Sequence, residues 1–285
     1  MTSSVDVVSR LAAVVDLQME ILTVVSDPER ILDLIVSQAL ELTNGSGAVV
    51  EMVHGEDLVY TAASGTAKRH LGFHIPMESS LSGLAIRERK VMRCDNVDTD
   101  SRVDSEAAHQ QGVRSLITAP LLDGDQVLGA IASLSPDTDA FRDLDSYMLQ
   151  LLGGIASSAL VRARDLREHE AAERRYRMLF DKNVAGVFRS TLNGTILDCN
   201  DALVQYLGYD SREDLLNREA WELYRDRADR EKLLEAMRTD NAVRNARVPF
   251  KKKDGTPMIG VINISLIPTD EGEPQLLGTL VEEPR

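Results

Sequence analysis

The chain has 285 residues, 43% of them apolar, and a formal net charge of −14 from 46 acidic and 32 basic side chains. That length supplies about two domains with separate cores, and the composition excludes a disordered or collagen-like chain. The acidic balance opposes electrostatic attachment to nucleic acid or to an anionic membrane face, and the small basic run Lys251–Lys253, followed by Asp254-Gly255, reads as solvated lysines beside a hairpin turn.

The first residues, MTSSVDVVSR, lack a basic start leading into an apolar core, so no signal peptide is expected. From Asp6 to Val25 apolar side chains recur at Val8, Leu11, Val15, Leu22 and Val25, close to a heptad seam, which makes this helix a candidate for homodimer formation. Ser26-Asp27-Pro28-Glu29 supplies a cap, a first-turn proline and an acid, so a second helix starts at Pro28 with Ile31, Leu32, Ile35, Ala39 and Leu42 on its apolar face.

After Asn44-Gly45 the period becomes strand-like. Gly47–His54 and Asp57–Ser64 read as a hairpin around Gly55, followed by a strand near Phe73–Pro76 and a short helix, Leu81–Arg89. Val91–Cys94 is extended, Asp104–Gln111 helical, and Val113–Leu122 pairs with Gln126–Ser135 across Asp123-Gly124-Asp125. A long helix begins near Phe141. The stretches GSGAVVEMV, HIPMESSLSGLAIRERKVMRCDNVDTDSR, GVRSLITAPLLDGDQVLGAIASLS and DLDSYMLQLLGGIASSAL, in that order and spacing, resemble the GAF family over about Glu20–Val161. The resemblance implies an antiparallel sheet with helices on its faces.

Leu149, Leu152, Ala156, Ala159, Ala163 and Leu166 follow three- and four-residue steps, then the apolar phase shifts to Ala172, Tyr176 and Leu179. The charged stretch Arg162–Arg177, free of Gly and Pro, reads as a continuous helical connector. Its longest nearly apolar stretch, Leu149–Val161, falls short of the roughly 20 residues of a membrane span. Strands follow at Ala185–Ser190 and Thr195–Cys199 around Asn193-Gly194, and a helix capped by Asn200 or Asp201. Gly208-Tyr209-Asp210-Ser211 ends that helix, and Ser211 caps the next. Ala228–Thr239 is helical, and Ala242–Lys251, Thr256–Ile267 and Gln275–Val281 are strands joined at Asp254-Gly255 and Asp270–Glu273. This second half resembles a PAS domain, which implies a five-stranded antiparallel sheet carrying short helices. The expected fold is therefore α+β: an N-terminal helix (1–25), a GAF domain (26–161), a helical connector (162–178) and a PAS domain (179–285).

Cys94 and Cys199, the two cysteines, fall in different halves, so no disulfide framework is expected and a reducing cytoplasm suits the chain. No kinase ATP-binding boxes, GGDEF or EAL signature, Walker pattern or helix-turn-helix occurs. His169-Glu170, the dipeptide of a phosphoacceptor site, lies on the connector and reads as a solvated helix position. An enzymatic activity is not expected.

Where relatives of the GAF type bind ligands, the site lies between the sheet and the Leu81–Gly112 segments, which places His109, Arg114 and Ser115 as lining or rim residues. Arg114 there suits a carboxylate or phosphate, or pairs with an acid such as Asp104. His109 is also the position from which an axial haem ligand would come, against a surface histidine as the alternative. Asn96–Glu106 lacks the lysine and phenylalanine of cyclic-nucleotide relatives, and Cys94 is followed by Asp95 instead of the histidine of bilin-binding ones; Cys94 reads as a partly buried thiol. A methionine sulfoxide reductase of this type would need several cooperating cysteines. Asn217-Arg218-Glu219-Ala220 does not reproduce the flavin motif of photosensory PAS domains, and no histidine of the second half is available for haem. His54, His70 and His74 lack further ligands for a zinc site.

In the PAS half the resemblance puts a pocket near Phe188, Asn200, Tyr206 and Trp221, with Asn200 bracing its helix and Trp221 filling core. The resulting expectation is a non-catalytic cytoplasmic sensor, homodimeric, that binds a small molecule or partner protein and passes the signal through the connector to a partner such as a histidine kinase. The alternatives are the sensor half of a histidine kinase or cyclase, a GAF haem-based gas sensor, and a structural dimerisation module with empty cores.

Overall fold

The computed structural model describes residues 4–269 and 272–283, and its chain divides between Glu170 and Ala171 into two compact units. The N-terminal tripeptide and Asp270-Glu271 of the last expected turn lie outside the described residues.

In the first unit, α1 (Ser4–Thr23) and α2 (Pro28–Leu42) precede the strands. The Asp27 carboxylate accepts from the Arg30 amide at 3.2 Å, so α2 starts where its cap and proline dictate. The strands are β1 (Gly47–His54), β2 (Asp57–Gly65), β3 (His74–Pro76), β4 (Met92–Cys94), β5 (Ser115–Asp123) and β6 (Gln126–Ser135). They form one antiparallel sheet in the order β3-β2-β1-β6-β5-β4, with a bulge in β1 after Val50. The helices α3 (Leu81–Glu88), α4 (Ser105–Gln110) and α5 (Asp143–Asp181) complete the set, and a 3-10 turn at Thr66–His70 was not legible in the periodicity.

Both faces of this sheet are covered. Ile31, Ile35 and Ala39 of α2 and Met148, Leu149 and Leu152 of α5 pack with Ala48, Val50 and Ile131 on one face. On the other, Val49, Tyr60, Ala132 and Leu134 meet Leu81 and Ala85 of α3 and Ala108 of α4. The α3 cover is close: a Cβ on Gly83 would stand 1.6 Å from the Met77 carbonyl oxygen, so only glycine lets this helix sit there.

The three- and four-residue steps in α5 have an intramolecular cause. Leu149, Leu152, Ala156, Ala159 and Ala163 are fully buried in this unit's own core, so the regular spacing serves intramolecular packing. The same burial explains why α5, long and apolar enough over one window to cross a membrane, is a core helix. Likewise Val14, Leu17 and Ile21 carry α1 onto the core, and the face through Val8, Leu11, Val15, Met19 and Leu22 is left exposed. Asp145, almost fully buried, fixes this packing by accepting from Arg10 at 2.9 Å, Asn44 at 3.1 Å and the Arg142 amide at 2.7 Å.

In the second unit, β7 (Gly186–Thr191), β8 (Ile196–Cys199), β9 (Ala242–Lys251), β10 (Pro257–Ile267) and β11 (Gln275–Glu282) form an antiparallel sheet in the order β8-β7-β11-β10-β9. The first and last strands are thus neighbours. α6 (Asp201–Leu207), α7 (Arg212–Leu216), a 3-10 turn at Ala220–Leu223 and α8 (Arg227–Asp240) cover one face. The expected lysine run is less solvated than its composition suggested: Lys253 pairs with Asp210 and Asp214, and Lys252 with Glu282.

Asn200 joins these parts. Its Oδ1 accepts from the Val187 amide at 2.8 Å and the Leu203 amide at 3.0 Å, while its amide nitrogen donates to the Phe180 and Ala185 carbonyls at 3.0 and 2.9 Å. One fully buried side chain therefore caps α6 and ties it to the first strand and to the end of α5. Asn200→Ala strips several buried backbone groups of their partners and should cost roughly 3 kcal/mol. Urea unfolding followed by Trp221, the single tryptophan, checks this, because that residue reports the second unit.

Candidate functional site

A cavity of about 200 Å³ opens on the α3/α4 side of the first sheet. Its walls are mostly apolar, with Phe73, Leu81, Val113, Leu116 and Leu134 among them, and its polar side chains are Glu51, Tyr60, His74, Ser79, Ser80, Ser82, Asp104 and Gln111. A cavity of about 150 Å³ suffices for benzene, so the volume admits a molecule of one ring with a short polar arm. It is smaller than the roughly 300–1,000 Å³ of sites for drug-sized ligands.

Glu51 is the unusual member. It sits mid-strand on β1, opposite Tyr60 of β2 and Ala130 of β6, and is only 2% exposed. Burial pushes its carboxyl up to about 7, against a hydrogen bond from Ser82 that favours the charged form. The Ser82 and Thr118 hydroxyls are 3.0 Å apart. If the Ser82 proton goes to Glu51, Thr118 must donate to Ser82, and the chain of donors stops there. Oε2 of Glu51 has no partner. Above it, the Tyr60 hydroxyl donates to Gln111 Oε1 at 2.8 Å, and burial together with the Glu51 charge raises the phenol well above its usual range. Asp104 caps α4 by accepting from Ala107 at 3.1 Å. Among the described residues lining the cavity there is no lysine or arginine.

The residues singled out from sequence fall elsewhere. His109 and Arg114 are about half exposed and share one surface carboxylate: His109 Nε2 is 2.9 Å from Asp98 Oδ1 and Arg114 is 3.2 Å from Asp98 Oδ2. Arg114 thus pairs with Asp98 and not with Asp104. Ser115 is fully buried and donates to the Asp137 carbonyl at 2.6 Å. None of the three lines the cavity. His109 lies on α4, Arg114 just before β5 and Ser115 at its first position, and their side chains face Asp98 and the Asp137 carbonyl. Haem does not fit this arrangement, because the His109 nitrogen that would bind iron is held at the surface and the cavity is small. His74, which lines the rim, faces Asp57 at 3.2 Å. Cys94 is fully buried, not partly so, and burial beside Asp100 pushes its thiol up to about 12, so it is no thiolate nucleophile.

In the second unit a cavity of about 30 Å³, the space of one water, lies under Phe188, Leu203, Leu207, Tyr224 and Phe250. Of the residues expected there, only Phe188 lines it. Asn200 is consumed by its five backbone partners, the Asn183 carbonyl at 3.4 Å being the fifth, and Tyr206 donates outward to the Val184 carbonyl at 3.0 Å. Trp221 is 38% exposed with the Arg227 guanidinium over its ring at 5.4 Å, so it is a surface residue and not core filling.

A GAF domain model matches residues 25–161 and a PAS domain model matches residues 184–282. No curated protein matches the chain. Among solved structures, the chromophore-binding domain of an unusual bacteriophytochrome from R. palustris is similar in fold, at 11% identity and a TM-score of 0.50, over 58% of this chain and 64% of that one. The GAF domain of an Acinetobacter phosphoenolpyruvate-protein phosphotransferase matches at 14% identity and a TM-score of 0.45, over 54% of this chain and 97% of that one. A PAS domain from a two-component sensor histidine kinase matches at 19% identity and a TM-score of 0.35, over 40% of this chain and 99% of that one.

The shifted Glu51 carboxyl has a measurable consequence. An unfolded glutamate titrates near 4.5 and the folded one near 7, so the folded state binds the extra proton between those values and loses stability as pH rises through them. The cost is absent below about 4.5 and complete above about 7. Urea melts at pH 5 and pH 8 should therefore show Glu51→Gln gaining about 3 kcal/mol relative to the parent on going to the higher pH.

Proposed function

We propose that this chain, a GAF domain followed by a PAS domain and therefore a signal-sensing module, binds a small molecule in the cavity beside Glu51 and relays its presence without catalysis. The observation that carries the reading is a buried carboxyl oxygen left without a partner at the wall of a cavity of ligand size. Evolution rarely leaves such a group unsatisfied unless something supplies the missing bond. The second domain, whose apolar core cavity under Phe188 and Tyr224 has the space of one water, suits a docking role.

α5 is the natural carrier of the signal. Its N-terminal half packs on the first sheet and its last residues present the Phe180 carbonyl to Asn200, so a change in ligation has an unbroken helix along which to act. Its output goes to a partner such as a histidine kinase, in the cytoplasm.

The protein acts as a homodimer through the exposed stripe Val8, Leu11, Val15, Met19 and Leu22, an apolar helix face that favours burial against a second copy. Leu11→Glu combined with Val15→Glu should dissociate the dimer at low micromolar concentration by setting like charges across the seam. Light scattering after gel filtration reads this, and a double variant that stays dimeric rejects the interface. For the binding role, native mass spectrometry of the mildly purified full chain should show a small retained mass that disappears when Ala107→Phe fills the cavity mouth. A mass retained equally by that variant places the ligand elsewhere.

A further inference from the structure

Resting on the reading of the cavity as the sensing site, we infer that its ligand is a small organic cation, an amine whose ammonium group donates to Glu51 Oε2 while an apolar body of about one ring lies against Phe73, Leu81, Val113 and Leu116.

Three observations converge on this class. The unpartnered oxygen needs a donor, and a carboxylate bonds most strongly to a charged one. Of the described lining residues that titrate, Glu51, Asp104 and Tyr60 are acidic and His74, already opposite Asp57, is the only basic one, so the walls offer an anionic ligand no lysine or arginine. The remaining wall is apolar, so a bare inorganic cation would leave it unused, whereas an amine with a ring or short aliphatic body fills both parts. The carboxyl, held near 7, can be charged at neutral pH at little cost once the ammonium arrives. Ser82, whose hydroxyl lies 3.0 Å from that of Thr118, favours the charged form from the protein side, and the ligand supplies the donor that Oε2 lacks.

Three isosteric probes separate the possibilities: benzylamine, benzyl alcohol and benzoate, titrated calorimetrically into the full chain at pH 7.5. Benzylamine should bind at millimolar concentration or below and roughly tenfold or more tighter than the alcohol, with no binding of benzoate. Glu51→Gln, isosteric and uncharged, should lose that preference but keep the alcohol, and Ala107→Phe, which leaves Glu51 in place, should lose both. Alcohol or benzoate binding the parent as well as the amine overturns the cation class while leaving the cavity as a binding site. Amine binding unchanged in Glu51→Gln likewise overturns it. Failure of all three probes to bind the parent at millimolar concentration overturns the cavity reading together with the inference.

Discussion

The constraint from which the first domain follows is that its sheet has no free face. α2 and α5 close one side and α3, α4 and the 3-10 turn the other, so each side chain over the first five positions of the central strand β1 must be apolar or find its partners inside the protein. Five consecutive positions at the start of β1 are buried; the first four obey the rule, and the fifth is Glu51. A carboxyl there is costly, and its cost is reduced in only two ways: by taking up a proton, which its position near 7 permits, or by gaining a donor from outside. The α3 cover makes room for the second. Because Gly83 brings that helix hard against Met77, Ser82 reaches the carboxyl from one side while the space toward Phe73 and Val113 stays open.

Asn200 and Glu51 handle burial in opposite ways, although the second domain too has a buried unpartnered atom, Arg189 Nε. Asn200 of the second is fully buried with both of its ends satisfied by backbone, so it has no capacity left for a ligand and serves the architecture. Glu51 of the first has a buried carboxyl oxygen, Oε2, without a partner. A saturated polar group rigidifies and an unsaturated one recruits. The difference in cavity volume, about 200 Å³ against about 30 Å³, follows the same division.

Much of the fold was legible because each element carries its own local cause. Pro28 behind Asp27, Gly55 between two β-rich runs and Asn200 ahead of an apolar helix fix boundaries without long-range information. The 3-10 turns were not, since they have no period to detect. The candidate site was legible in region only. His109 and Arg114 drew attention as chemically capable side chains near the expected pocket, but His109 on α4 and Arg114 just before β5 both face the surface carboxylate of Asp98, a pairing distant in sequence that no local pattern announces. The stronger signal was the acid in the run Gly47–His54: a carboxyl among β-branched residues of a strand buried on both faces is out of place unless it works. Spacing at α5 does not by itself name what the helix packs on, because three- and four-residue steps describe any helix that buries one face, whether against another copy or against its own sheet.

The most direct measurement is a carbon-13 NMR titration of the Glu51 side-chain carboxyl in the full chain, assigned by comparison with Glu51→Gln and repeated with benzylamine present. The account predicts a midpoint near 7 that moves down when the amine is added. A midpoint in the ordinary carboxylate range, or one that the amine leaves in place, would contradict it.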